Sequence, residues 1–144
     1  MNKSADSLSR AKKSAVNMLS YADNTEKQLR EKLSRKGFSK EDIDGAIAYL
    51  HEYRYINETA HAKRLCDSLV RVKLWGRRRI VREMKLRGFS ESDIEAAGID
   101  DIDFSEYCSL ALEKYGKEDK DGTIAALLRR GYSLDEIKRA MKNS

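Results

Sequence analysis

The sequence predicts an all-α fold made of three tandem three-helix repeats, stacked into an elongated, curved helical array. Three observations predict it. The first is a phrase that recurs: Lys36-Gly37-Phe38-Ser39 with Asp42-Ile43, Arg87-Gly88-Phe89-Ser90 with Asp93-Ile94, and Arg130-Gly131-Tyr132-Ser133 with Glu136-Ile137. Gly37 and Gly88 are 51 residues apart, and Gly88 and Gly131 are 43 apart, which is the spacing of repeated helical modules. The second is composition: proline is absent, and Ala, Leu, Lys, Arg and Glu favour helix throughout. The third is apolar spacing with a helical period in most segments.

Each residue of the recurring phrase has a local task. Glycine takes the left-handed conformation that closes a helix, and the preceding Lys or Arg suits the negative C-terminal end. The serine two residues on caps the next helix, and the acid three residues beyond it suits a capping box. Phe38, Phe89 and Tyr132 then fall just before the cap, with Ile43, Ile94 and Ile137 at the fourth helical position, a hydrophobic staple three times over.

Taken in order, residues 1–6 read as a loose start. Leu8, Ala11, Ala15, Met18 and Leu19 mark a first helix from Ser7 to Tyr21. Thr25 and Gln28 offer a capping box for the second, which carries Leu29 and Leu33. The third runs from about Ser39 to Tyr53, with Ile43, Ile47 and Leu50 inward. Tyr53-Arg-Tyr-Ile56 crosses to a fourth helix capped by Asn57, with a stripe of Ala62, Leu65, Cys66, Leu69 and Val72. Leu74-Trp75-Gly76 turns the chain into a central basic helix, and a short helix follows from Ser90 to about Ala97. After the acidic joint Ile99–Asp103 comes a seventh helix, Phe104 to Tyr115. Lys117 to Asp121 reads as a charged loop, Thr123 as the cap of the eighth helix and Ser133 as the cap of the ninth. The modules are therefore residues 1–55, 56–98 and 99–144.

Charge excludes some function classes and favours others. Charged residues make up 37% of the chain, against a typical quarter. No run is apolar enough to span a membrane, and no signal-peptide core begins the chain. Cys66 and Cys108 read as small hydrophobes in a reducing cytosol, not as a disulfide. His51 and His61 stand apart from any metal-ligand pattern, and no phosphate loop, nucleophile elbow or paired acids occur, so no cofactor, metal or catalytic set is predicted.

Residues 63–88 hold ten basic and two acidic residues, a net of +8, while residues 91–121 hold eleven acidic and three basic, a net of −8. Such asymmetry points to a polyanion or a charged protein partner. The candidate contact residues are Arg71, Lys73, Arg77, Arg78, Arg79, Arg82 and Lys85. With Ile80, Val81 and Met84 on the core side, Arg79 and Arg82 fall opposite, Arg78 and Lys85 at the edge, and Arg77 near the helix entrance. Arginines beside free helix N-terminal amides suit phosphate. Charge-rich helix faces are also commonly just solvated. Tyr49, Tyr53 and Tyr55 could stack on bases, but core packing between modules is the expectation. Trp75 reads as a wedge at a joint.

Three stretches resemble the RecX family of bacterial regulators of the recombinase RecA. They are Gln28-Leu29-x3-Leu33-x2-Lys36-Gly37-Phe38, Tyr55-Ile56-Asn57-Glu58 with Ala62, and Gly76-x3-Ile80-x2-Glu83-Met84-x2-Arg87-Gly88. Asn57-Glu58 replaces the family's acidic pair, and His61 stands where the family prefers Phe. The resemblance implies a cytoplasmic, non-enzymatic protein that binds RecA and its filament on single-stranded DNA. It implies inhibition of filament growth, ATP hydrolysis, strand exchange and co-protease activity. DNA would be met directly or through the filament, and the chain is expected to be a monomer. The alternative is a stand-alone nucleic-acid-binding helical-repeat protein. Against it, Ser90-Glu-Ser-Asp93 is a poor helix start to push into a major groove.

Overall fold

The computed structural model describes residues 3–144 and is all-helical among them. Among the described residues nine α-helices follow in order: α1 Lys3–Tyr21, α2 Glu26–Arg35, α3 Lys40–Glu52, α4 Glu58–Arg71, α5 Arg77–Arg87, α6 Glu91–Ala96, α7 Phe104–Tyr115, α8 Lys120–Arg129 and α9 Leu134–Lys142. A single 3-10 turn, Ile99–Asp101, links α6 to α7. The expected loose start over residues 1–6 is corrected in part. Residues 1 and 2 lie outside the described residues, and residues 3–6 are already helix, with no Gly or Pro there to stop it.

The recurring turn folds as its residues dictate. Gly37, Gly88 and Gly131 have φ of 93°, 103° and 102°. At the first and third turns the amides of Phe38 and Tyr132 reach back to the carbonyls of Leu33 and Leu127, and those of Gly37 and Gly131 to Ser34 and Leu128. Ser39, Ser90 and Ser133 each accept the amide three residues on, all at 3.1 Å. Glu136 also closes the reciprocal half of the box on the Ser133 amide at 2.8 Å. The shorter Asp42 is used differently, accepting the Ser7 hydroxyl at 2.5 Å.

The chain packs as two compact units. The first holds residues up to His61 together with Arg87–Phe89, and the second holds Ala62–Leu86 and Ser90–Ser144. In the first unit α1 lies along α3, and Ala11, Ala15, Leu29, Leu33, Ile43, Ala46, Ile47 and Leu50 form the core. The small residues let the two helices approach closely. Thr25 and Gln28 make the predicted capping box, at 3.1 and 2.9 Å. The buried Thr25 hydroxyl also donates to the Arg87 carbonyl, satisfying a helix end that would otherwise lack a partner. His61 is buried edge-on to Phe89, with ring centroids 4.9 Å apart, so it fills an aromatic slot.

The second unit is built around Cys66, Leu69, Ile80, Met84, Ile99, Phe104, Cys108, Leu127, Tyr132 and Ile137, all buried. Both cysteines are free thiols, and burial pushes each above its ordinary value. One cap differs from expectation. Asp119, not Thr123, caps α8, accepting the Gly122 amide at 2.7 Å. Thr123 is buried inside the first turn, where its hydroxyl accepts the Lys117 amide at 2.8 Å. Two cap-competent residues stand four apart, and the carboxylate takes the helix start because it also suits the dipole.

Candidate partner-binding face on the central helix

The face is carried by α5, and the chain sets α5 by a sharp corner. Leu74 occupies the left-handed region at φ 53°, unusual for a non-glycine residue. It allows the Trp75 amide to return to the Leu69 carbonyl at 3.0 Å. Gly76 then donates to the Arg130 carbonyl at 2.7 Å, and Arg78 to the Gly131 carbonyl at 3.3 Å. The expectation of free amides at this helix start is thereby corrected for Gly76 and Arg78. The turn between α8 and α9 occupies two of them with carbonyls, so no anion cradle is left at those two amides.

The third repeat's turn grips the same corner with side chains. Arg130 lies flat on Tyr115, 3.7 Å from the ring centroid, and donates to the carbonyls of Leu74 (3.2 Å) and Lys73. The buried Tyr132 hydroxyl donates to the Leu74 carbonyl at 2.9 Å. Tyr132 thus explains why this turn carries Tyr where the other two carry Phe. Burial pushes its hydroxyl far above the ordinary phenol range.

The seven candidate residues separate into two groups. Arg79 is half-buried over the Trp75 ring at 3.9 Å from the centroid, and its Cβ packs against Gly131. It points into the seam with the α8–α9 turn and not to the opposite, solvent side of the helix. Arg77 pairs with Asp100 at 2.6 Å, and Arg71 pairs with Asp67 at 2.6 Å one helical turn back. The Asp67 hydrogen bond pushes the Arg71 guanidinium above its usual value. Lys73, Arg78, Arg82 and Lys85 are exposed. Arg78, Arg82 and Lys85 follow helical i, i+4, i+7 spacing, so they form one ridge along α5. Lys85 is only loosely held by Glu91 at 4.0 Å, a distance at which an exposed pair contributes little.

Sequence reasoning missed the Arg130 and Tyr132 grip on the corner. The only available signal was the Tyr-for-Phe change in the third phrase. A shallow cleft of about 250 Å³ beside the ridge mixes Arg77 and Lys85 with Glu91, Glu95 and Asp100. No His, Cys, Asp and Glu grouping fit for a metal occurs among the described residues, and no helix of the described residues is long and apolar enough to cross a membrane.

The fold and this face define a tandem three-helix-module protein with an exposed basic ridge on its central helix. A family model described as "RecX, first three-helix domain" matches residues 11–50, and one described as "RecX, second three-helix domain" matches residues 57–97. The chain belongs to the RecX family. It is 33% identical to the regulatory protein RecX of Vibrio parahaemolyticus, covering 91% of this chain and 89% of that one. It is 31% identical to the regulatory protein RecX of Clostridioides difficile over 92% of this chain, which spans 66% of that relative's length. The crystal structure of RecX from Lactobacillus salivarius superposes with a TM-score of 0.80, covering 96% of this chain and 97% of that one, at 22% identity. That likeness supports the fold.

Proposed function

We propose that this chain is a non-catalytic regulator of a RecA recombinase, working as a monomer in the cytoplasm. It binds RecA and its filament on single-stranded DNA and inhibits filament growth, and with it ATP hydrolysis, strand exchange and co-protease activity. The relatives' shared name, regulatory protein RecX, supports the class. The observation that carries the contact is the exposed ridge of Arg78, Arg82 and Lys85 on a helix whose start is clamped by the third repeat. A clamped helix presents its charges at fixed spacing, as a filament of regularly placed acidic groups or phosphates requires.

The test is single-stranded-DNA-dependent ATP hydrolysis by the matching RecA, with this protein added below stoichiometric amounts. A falling rate with DNA in excess supports a regulator of filament growth. An unchanged rate, together with no filament binding, sinks the reading and puts the stand-alone nucleic-acid-binding alternative first. The geometry speaks against that alternative as a groove-reading protein. The α6 helix has only six residues, and its first turn carries Glu91 and Asp93.

A further inference from the structure

A second surface, in the first unit, has no part in the reading above. Past the end of α3, Arg54 takes the left-handed region at φ 57°, and the Tyr55 amide returns to the Leu50 carbonyl at 2.8 Å. That reversal leaves Tyr53 and Tyr55 both in ring contact with Tyr49. Tyr49 and Tyr53 have ring centroids 4.8 Å apart and tilted by 48°, while Tyr49 and Tyr55 lie 6.1 Å apart and near-parallel at 28°. Core packing between modules was the expectation for these rings; Tyr49 does pack against the core of this unit, but Tyr53 is 60% exposed and Tyr55 49% exposed. The polar edge of α1 runs beside them. Lys12 Nζ sits 5.0 Å from the Tyr49 centroid. A groove of about 340 Å³ is lined by Lys12, Lys13, Val16, Asn17, Tyr49 and Tyr55.

We propose that this groove is a single-stranded nucleic-acid site, in which unpaired bases stack on the tyrosine cluster and Lys12 and Lys13 take the adjoining phosphates. Open π faces beside ammonium groups are the chemistry that holds unpaired strands without reading their sequence. Duplex DNA fits poorly, because its bases are already stacked. The local charge favours a polyanion: Lys12 and Lys13 line the groove, while the charge of Glu52 is felt at Tyr49. Arg54 keeps a cation at a backbone position where glycine would be less strained. The proposal is independent of the α5 ridge.

The experiment measures affinity by fluorescence anisotropy for two labelled oligonucleotides, an oligothymidylate and an abasic strand of equal length. The first variant pairs Tyr53→Ala with Tyr55→Ala, and its fold is checked by thermal melting. Both rings are about half exposed or more and lose only their contacts with Tyr49, so the melt should fall by a few degrees and remain cooperative. Expected is a loss of roughly tenfold or more for oligothymidylate and no change for the abasic strand. The second variant, Lys12→Gln with Lys13→Gln, should weaken both strands and lower the slope of log affinity against log salt by about 1.4. Equal losses on both strands, or none on either, for the tyrosine variant overturn the stacking site. Loss of affinity for DNA-free RecA with oligonucleotide binding intact assigns the face to protein and also overturns it. The α5 reversal Arg78→Glu with Arg82→Glu separates the two readings. If it leaves filament binding and inhibition unchanged while the tyrosine effect persists, only the regulator's ridge fails.

Discussion

A Cβ on Gly76 would lie 2.4 Å from the carbonyl carbon of Gly131. The glycine that opens the basic helix and the glycine that closes α8 are therefore in backbone contact. Gly76→Ala has no flexible neighbour to displace, since the atoms met first are all backbone. It should cost about 3 kcal/mol, at the upper end for overpacking. Gly37→Ala is the control. Gly37 has φ 93° but open space around its missing Cβ, so only conformational strain is felt, about 1 kcal/mol. Urea unfolding of the two variants should rank them in that order, and equal midpoints would show that the Gly76 corner yields.

Thr25 performs two tasks with one hydroxyl. It caps α2 and donates to the Arg87 carbonyl at the end of α5, while fully buried. Thr25→Ala removes the cap and leaves that carbonyl without its donor, a combined loss of about 2 kcal/mol. Thr25→Ser keeps the hydroxyl and should recover most of it. A thermal melt in which serine is no better than alanine would mean that the methyl packing matters and not the bonds.

Stability should fall on the alkaline side. Burial moves the Cys108 thiol from its ordinary 9.0 to about 11, and Tyr132 is pushed up as well. Between pH 9 and 11 the unfolded chain releases the thiol proton while the folded chain keeps it. The unfolded state then binds fewer protons, so unfolding becomes easier as pH rises, by about 2 to 3 kcal/mol at most from this thiol. Cys108→Ala lowers stability at all pH by opening a small cavity, but it should flatten the slope across this window. An unaltered slope would place the alkaline sensitivity elsewhere.

The parts of the fold legible in the sequence are those governed by local chemistry. Gly37, Gly88 and Gly131 announce their left-handed turns, and Ser39, Ser90 and Ser133 announce their caps, because each acts within five residues of itself. What escaped depended on distant chain. A helical wheel for α5 sees only its own core side, so it placed Arg79 opposite Ile80 and Met84. It had no means of seeing that the Gly131 turn covers that flank. Tyr53 and Tyr55 were assigned to core packing because aromatic residues near a joint usually pack. The deciding feature, Arg54 in a left-handed conformation, carries no glycine to mark it. The start of α8 is read at Thr123, with Lys117 to Asp121 as a charged loop, because a charge-rich stretch hides the capping carboxylate of Asp119 within it.

The division of α5 into a clamped side and an exposed ridge gives the sharpest functional prediction. Arg79 stacks on Trp75 and reaches toward the Arg129 carbonyl at 3.4 Å, so its stem and guanidinium stabilise the corner. Arg79→Ala should destabilise by about 1 to 2 kcal/mol through lost cation–π contact and packing. It should weaken filament binding only as far as the corner loosens. Arg78→Glu with Arg82→Glu changes two exposed charges and should leave the melting temperature nearly unchanged. It should nevertheless cut affinity for the DNA-loaded filament by tenfold or more, on the order of 1.4 kcal/mol, with the difference shrinking as salt rises. The measurement is filament pull-down or anisotropy across a salt series, run beside thermal melts of each variant. If Arg79→Ala loses binding without losing stability, while the Arg78 and Arg82 reversal does neither, then the seam and not the ridge is the contact surface.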